Sequence, residues 1–74
     1  MNMTNREKLA LLENMLELEE GELNEEIKLS ELENWNSMAK LSLIVLMDDE
    51  FGKKLSGEQI RRFETIKDIL NFME

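Results

Sequence analysis

Residues 37–51 constrain this chain more than any other segment. Fifteen residues run from Ser37 to Phe51 without a proline or a glycine, and within them residues 41–47 are apolar except for Ser42. Five or six apolar residues in a row fit either a buried strand or a buried helix. Length decides between them, because strands of fifteen residues are uncommon. Asn36, a strong N-cap residue, stands at one end and Gly52 at the other. The pattern predicts a helix from Asn36 or Ser37 to Phe51, apolar all round and therefore central and buried.

The rest of the chain agrees with a helical reading. It has no proline and only three glycines, a composition that favours helix throughout. Thr4-x-x-Glu7 matches a capping box, and Leu9, Leu12, Met15 or Leu16 recur behind it at helical spacing. That first helix is expected to fade near Glu19-Glu20-Gly21. Residues 21–36 then read as a long acidic connection whose Leu23, Ile27, Leu29 and Leu32 lay it against the core. A connection of that length in a small domain is often functional. Phe51-Gly52-Lys53-Lys54-Leu55 forms a turn, and Ser56-x-x-Gln59 caps a short third helix running through Ile60 to Phe63. Thr65 opens a last helix with Asp68 in its first turn. The expected fold class is all-α: one domain over residues 1–74, four helices, a long first loop and a short third helix.

Charge and composition remove several functions. The chain carries 17 acidic and 9 basic side chains, for a net charge of −8. Nine glutamates and one lysine lie between Glu13 and Glu33, so that segment alone accounts for the whole imbalance. Such a field repels the phosphates of nucleic acid and attracts basic protein surfaces. There is no histidine to serve as a base near neutral pH and no cysteine for disulfides or thiolate metal sites. Asp48-Asp49-Glu50 lacks the alternating oxygen ligands and the glycine of a calcium loop. No apolar stretch reaches the roughly 18 residues that a membrane crossing needs. Met1-Asn2-Met3-Thr4-Asn5-Arg6 lacks the apolar core of a leader. The expectation is a cytoplasmic, monomeric protein that is not an enzyme by itself and holds no metal.

Read together, Asn36-Ser37-Met38 at a helix start, apolar residues at Leu41, Leu43, Ile44, Val45 and Met47, and Asp48-Asp49-Glu50-Phe51 behind them resemble the acyl carrier protein family. Leu55, the Thr65-Ile66 opening of the last helix and the terminal aromatic Phe72 fit the same pattern. The likeness runs without gaps from Trp35 to Met73. Before Trp35 it extends only to the length and amphipathic character of the first helix. The resemblance implies an acyl-carrier-like four-helix bundle in which Ser37 bears a 4'-phosphopantetheine arm taken from coenzyme A. Asn36 and Met38 flank that attachment point. An acyl or aminoacyl group then rides as a thioester on the arm's thiol, and partner enzymes do the chemistry. The implied partners are a phosphopantetheinyl transferase and loading or transferring enzymes with basic docking surfaces. The resemblance further implies that Leu41, Val45, Met47, Ile60, Phe63 and Ile69 line a space for the acyl chain. Ordinary core packing explains each of those residues equally well.

The chain departs from the family at four points. Asn36 stands where the family has Asp, which keeps the cap and removes a charge beside the serine. Ala39, Lys40 and Ser42 replace residues that are usually acidic, so acidity on this helix concentrates at Asp48, Asp49 and Glu50. The first-loop glutamates, Glu31 and Glu33 among them, supply the missing charge and shift the expected docking face toward that loop. Trp35 takes the place of a small residue and reads as a core or loop anchor. These departures point to a specialised pathway rather than housekeeping fatty-acid synthesis. The alternative is a carrier-fold interaction module that is never modified, in which Ser37 only caps a helix.

Overall fold

The computed structural model describes residues 3–74. Met1 and Asn2, part of the segment judged above for a leader, lie outside the described residues. Four α-helices are formed among the described residues: α1 (Asn5–Met15), α2 (Ser37–Phe51), α3 (Gly57–Arg62) and α4 (Ile66–Phe72). There is no strand among them beyond an isolated antiparallel bridge between Lys28 and Thr65. The radius of gyration is 11.1 Å, close to the ~11 Å of a compact chain of this length.

Local chemistry sets most helix ends. At α1 the Glu7 N–H donates to Thr4 Oγ1 at 3.1 Å while the Thr4 N–H donates to Glu7 Oε1 at 2.9 Å. Ser56 and Gln59 repeat this reciprocal box at α3, at 2.9 and 3.2 Å. At α4 the Asp68 carboxylate accepts from the Glu64 and Thr65 N–H groups, at 2.8 and 3.2 Å. Gly52 ends α2 in the left-handed region (φ 63°), where the Gly52 N–H reaches Asp48 O and the Lys53 N–H reaches Met47 O.

The first helix stops sooner than its pattern predicts. It ends at Met15, and Glu17 takes the left-handed conformation (φ 60°) that a glycine normally supplies. The Glu17 N–H donates to Asn14 O at 3.2 Å and the Leu18 N–H to Glu13 O at 2.8 Å. This is a Schellman closure, with Leu18 packed against the core as its hydrophobic contact. Gly21, read above as the stop, instead serves a later turn (φ 92°).

The long connection is ordered and tied down. It contains a 3₁₀ turn, Leu29–Glu31, and buries Leu23 and Leu29. Three backbone bonds seam it to the start of α4: Leu29 N–H to Glu64 O (2.9 Å), Ile66 N–H to Ile27 O (3.0 Å) and Lys67 N–H to Glu25 O (3.0 Å). At its other end Asn34 Nδ2 donates to Leu16 O at 2.8 Å. The Glu13 carboxylate Oε2 accepts from the Gly21 and Leu23 N–H groups, at 2.9 and 3.0 Å.

The core gathers Leu12 and Leu16 of the α1 end, Leu43 and Met47 of α2, Ile60 of α3, and Ile66, Ile69 and Leu70 of α4. On α2 the buried line is Ala39, Leu43 and Met47, four residues apart. This helix is not buried all round, contrary to the expectation from its composition. Met38 (71% exposed), Leu41 (57%) and Val45 (54%) form an outward apolar stripe. Among the described residues no neighbouring element covers that side, and the sequence alone carries no information about which flank a neighbour will cover.

Candidate functional site

Ser37 is the first residue of α2 and is exposed. Its position follows from Asn36, whose backbone is extended (φ −122°, ψ −173°) and whose side-chain oxygen accepts from the Ala39 N–H at 2.9 Å. The N-cap role expected of Asn36 is therefore present. The backbone N–H groups of Ser37 and Met38 donate to no acceptor among the described residues. They point along the helix axis with the positive end of its dipole. A group attached to Ser37 Oγ thus leaves the protein at a point where a negative charge is favoured without a basic side chain.

Two concave surfaces are lined by close sequence neighbours of this serine. One is a small depression of about 270 Å³ touched by Asn34, Asn36, Met38 and Ser42. The other is an open groove of about 580 Å³ reached by Trp35, Lys40, Ile60 and Phe63. Lys40 Nζ stands 5.9 Å from the centroid of the Trp35 ring. Trp35 is half-buried and packs against the core, as an anchor does, while its ring also forms part of the groove.

The six residues expected to surround an acyl chain divide three ways. Leu41 and Val45 face outward beside Met38 and line no interior space. Met47 and Ile69 are fully inside the common core. Ile60 and Phe63 reach the groove next to Ser37, and Phe63 meets Phe72 edge-on with centroids 6.0 Å apart. The expectation is thus corrected for Leu41 and Val45. The core residues of α1, α3 and α4 gather on the Ala39, Leu43 and Met47 side of α2, which leaves the side of Leu41 and Val45 outward.

The acidic residues also separate. Asp48, Asp49 and Glu50 are exposed in the last turn of α2, about 17–20 Å along the axis from Ser37 at 1.5 Å per residue. Their charge sits at the negative end of the helix dipole, an unfavourable place that local stability does not explain. Glu31 and Glu33 are exposed at the rim of a depression beside Leu18. The Glu31 carboxylate also accepts from the Lys28 N–H at 3.3 Å. Glu13 does not belong to the outward field at all. It is 2% exposed, and Arg6 Nη2 lies 3.7 Å from its second oxygen, Oε1.

Sequence reading overlooked the basic side of the groove. Lys28, Lys40 and Arg61 all line it, yet they are scattered along the chain. The one signal available was Lys40, one helical turn after Ser37. Among the described residues no group of three or more acidic, histidine or cysteine side chains is placed to hold a metal ion, and no helix is long and apolar enough to cross a membrane. No family model matches the chain, and neither a curated protein nor a solved structure matches it.

Proposed function

We infer that this protein is an acyl carrier whose Ser37 bears a phosphopantetheine arm. The observation that carries the reading is the exposed Ser37 at the free N-terminus of a fifteen-residue helix, beside the uncovered stripe of Met38, Leu41 and Val45. The all-helical fold and the resemblance set out above support it. In the attachment step Ser37 Oγ bonds to the pyrophosphate phosphorus of coenzyme A that carries the pantetheine. The bond from that phosphorus to the adenosine bisphosphate half breaks, and the serine proton passes to the transferase. The product is a phosphodiester held where helix N–H groups and dipole favour an anion. The arm's thiol then forms a thioester with an acyl or aminoacyl group. Tethering keeps that group at high effective concentration near any docked enzyme. Reaction chemistry belongs to those partners, which suits a chain without histidine or cysteine.

In this reading Met38, Leu41 and Val45 supply apolar contact to partners, and Asp48, Asp49, Glu50, Glu31 and Glu33 meet their basic surfaces. The protein acts as a cytoplasmic monomer in a specialised pathway. Incubation with coenzyme A and a broad-specificity phosphopantetheinyl transferase, followed by intact mass measurement, tests the assignment. The expected result is one added arm on the wild type and none on Ser37→Ala. An unchanged wild-type mass rejects it.

The same exposed stripe favours a second reading, in which an unmodified module binds a partner helix or groove through Met38, Leu41 and Val45. Partner binding that is equal for wild type and Ser37→Ala, with no arm on either, selects this alternative.

A further inference from the structure

The groove beside Ser37 has the wrong sign for this protein. The chain has nearly twice as many acidic as basic side chains, yet Lys28, Lys40 and Arg61 line the groove against a single carboxylate, Glu64. Lys28 and Lys40 make no ion pair among the described residues. Arg61 pairs with Glu58 at 3.4 Å, but both side chains are mostly exposed, and such a pair is weak and exchangeable. The walls are Trp35 and Phe63, both half-buried. An apolar wall with cations at the rim suits a short carbon chain that ends in an anion.

Placement relates the groove to the carrier site. Lys40 follows Ser37 by three positions, so the two side chains are neighbours on the surface of α2. Lys28 is positioned by its bridge to Thr65, and Arg61 by the short helix α3. Of the three cations only Lys40 shares α2 with Ser37. Meanwhile Leu41 and Val45 face solvent, so α2 offers no interior apolar channel there for a long alkyl chain.

We propose that this groove seats the carried group itself, and that the group is a short acyl chain bearing its own carboxylate. The inference rests on the carrier reading of Ser37. The carboxylate sits among Lys28, Lys40 and Arg61, with charge-assisted hydrogen bonds from the ammonium and guanidinium groups. The methylenes lie against Trp35 and Phe63.

Succinyl and butyryl arms have the same carbon count and differ in the terminal carboxylate, so they isolate the charge. Each is placed on Ser37 by a transferase from the matching acyl-coenzyme A, beside a form with a free thiol. The indole N–H resonance and emission of Trp35, the sole tryptophan, report occupancy of the groove. The expected result is a displaced Trp35 signal for the succinyl form only, abolished in Lys28→Ala/Lys40→Ala. An equal displacement with butyryl or with the free thiol overturns the proposal, the latter because the groove then serves the arm rather than its cargo. Titration of Ser37→Ala with free succinyl- and butyryl-pantetheine is a separate arm of the test. Succinyl-pantetheine is expected to bind at least about tenfold tighter, as hydrogen bonds to a charged group allow, and equal affinity overturns the proposal. If no arm attaches to the wild type, the carrier reading fails while this titration still decides the chemistry of the groove.

Discussion

Glu13 and Leu23 are joined by a hydrogen bond of 3.0 Å from the Leu23 backbone N–H to a buried carboxylate oxygen. The same oxygen accepts from Gly21, so one side chain of α1 fixes the first turn of the long connection. Its other oxygen is buried and has no hydrogen-bond partner among the described residues, with Arg6 3.7 Å away. Glu13→Ala leaves two backbone donors unpaired and is expected to cost roughly 2 kcal/mol or more. Glu13→Gln keeps one acceptor oxygen and should cost less. Urea denaturation of both variants checks the ranking, and identical midpoints contradict it.

Asn36 caps α2 through Ala39 at 2.9 Å. Asn36→Ala should lose about 1 kcal/mol of stability. Asn36→Asp keeps the cap and adds a negative charge at the favourable end of the helix dipole. Its denaturation midpoint should equal or exceed that of the wild type. Under the carrier reading the same variant restores the charge that family members have beside the serine. Faster arm attachment is then expected in a time course followed by intact mass.

The two sides of α2 should respond in opposite ways to substitution. Leu43 is fully buried, and Leu43→Ala is expected to cost about 2–5 kcal/mol. Leu41 and Val45 are more than half exposed. Leu41→Gln and Val45→Gln should change stability by no more than about 0.5 kcal/mol, while weakening attachment of partners to the stripe. Paired denaturation curves and binding isotherms separate the effects. A Leu41→Gln loss as large as that of Leu43→Ala means the stripe is covered.

Glu19, Glu20, Glu22 and Glu26 are exposed on the loop side. If their field guides basic partners, added salt should slow association more than it speeds dissociation. The Debye length falls from about 10 Å at 0.1 M to about 3 Å at 1 M, so the effect belongs to that range. Stopped-flow measurement with the transferase, repeated on Glu19→Gln/Glu22→Gln/Glu26→Gln, should give a shallower salt dependence for the variant. Identical slopes leave these glutamates without a steering role.

What could be read from the sequence was what is decided locally. Asn36 and Gly52 fix both ends of α2 by chemistry within one helical turn, and both ends fall where the pattern put them. The end of α1 was misplaced because Glu17 adopts a left-handed φ without being a glycine. Its closure depends on Leu18 finding the core, which is a tertiary event. Likewise the outward stripe on α2 depends on what packs where, and period alone does not separate Leu41 from Leu43. The basic groove was invisible because the seam between Ile27, Leu29, Glu64 and Ile66 sets Lys28 beside the start of α4, while Lys40 and Arg61 reach the same groove from α2 and α3. Ser37 itself was legible as a position, since its exposure follows from being first after the cap.

That seam also orders events in time. A chain made from its N-terminus has Lys28 and Ser37 long before Glu64, Thr65 and Ile66 exist. The bonds that fix Lys28 at the groove's edge therefore close only when the final helix arrives. Ser37 therefore precedes its neighbouring groove, which is unfinished until Glu64 and Ile66 have joined the seam. A surface made of both the serine and the groove thus exists only after α4 has docked on the connection.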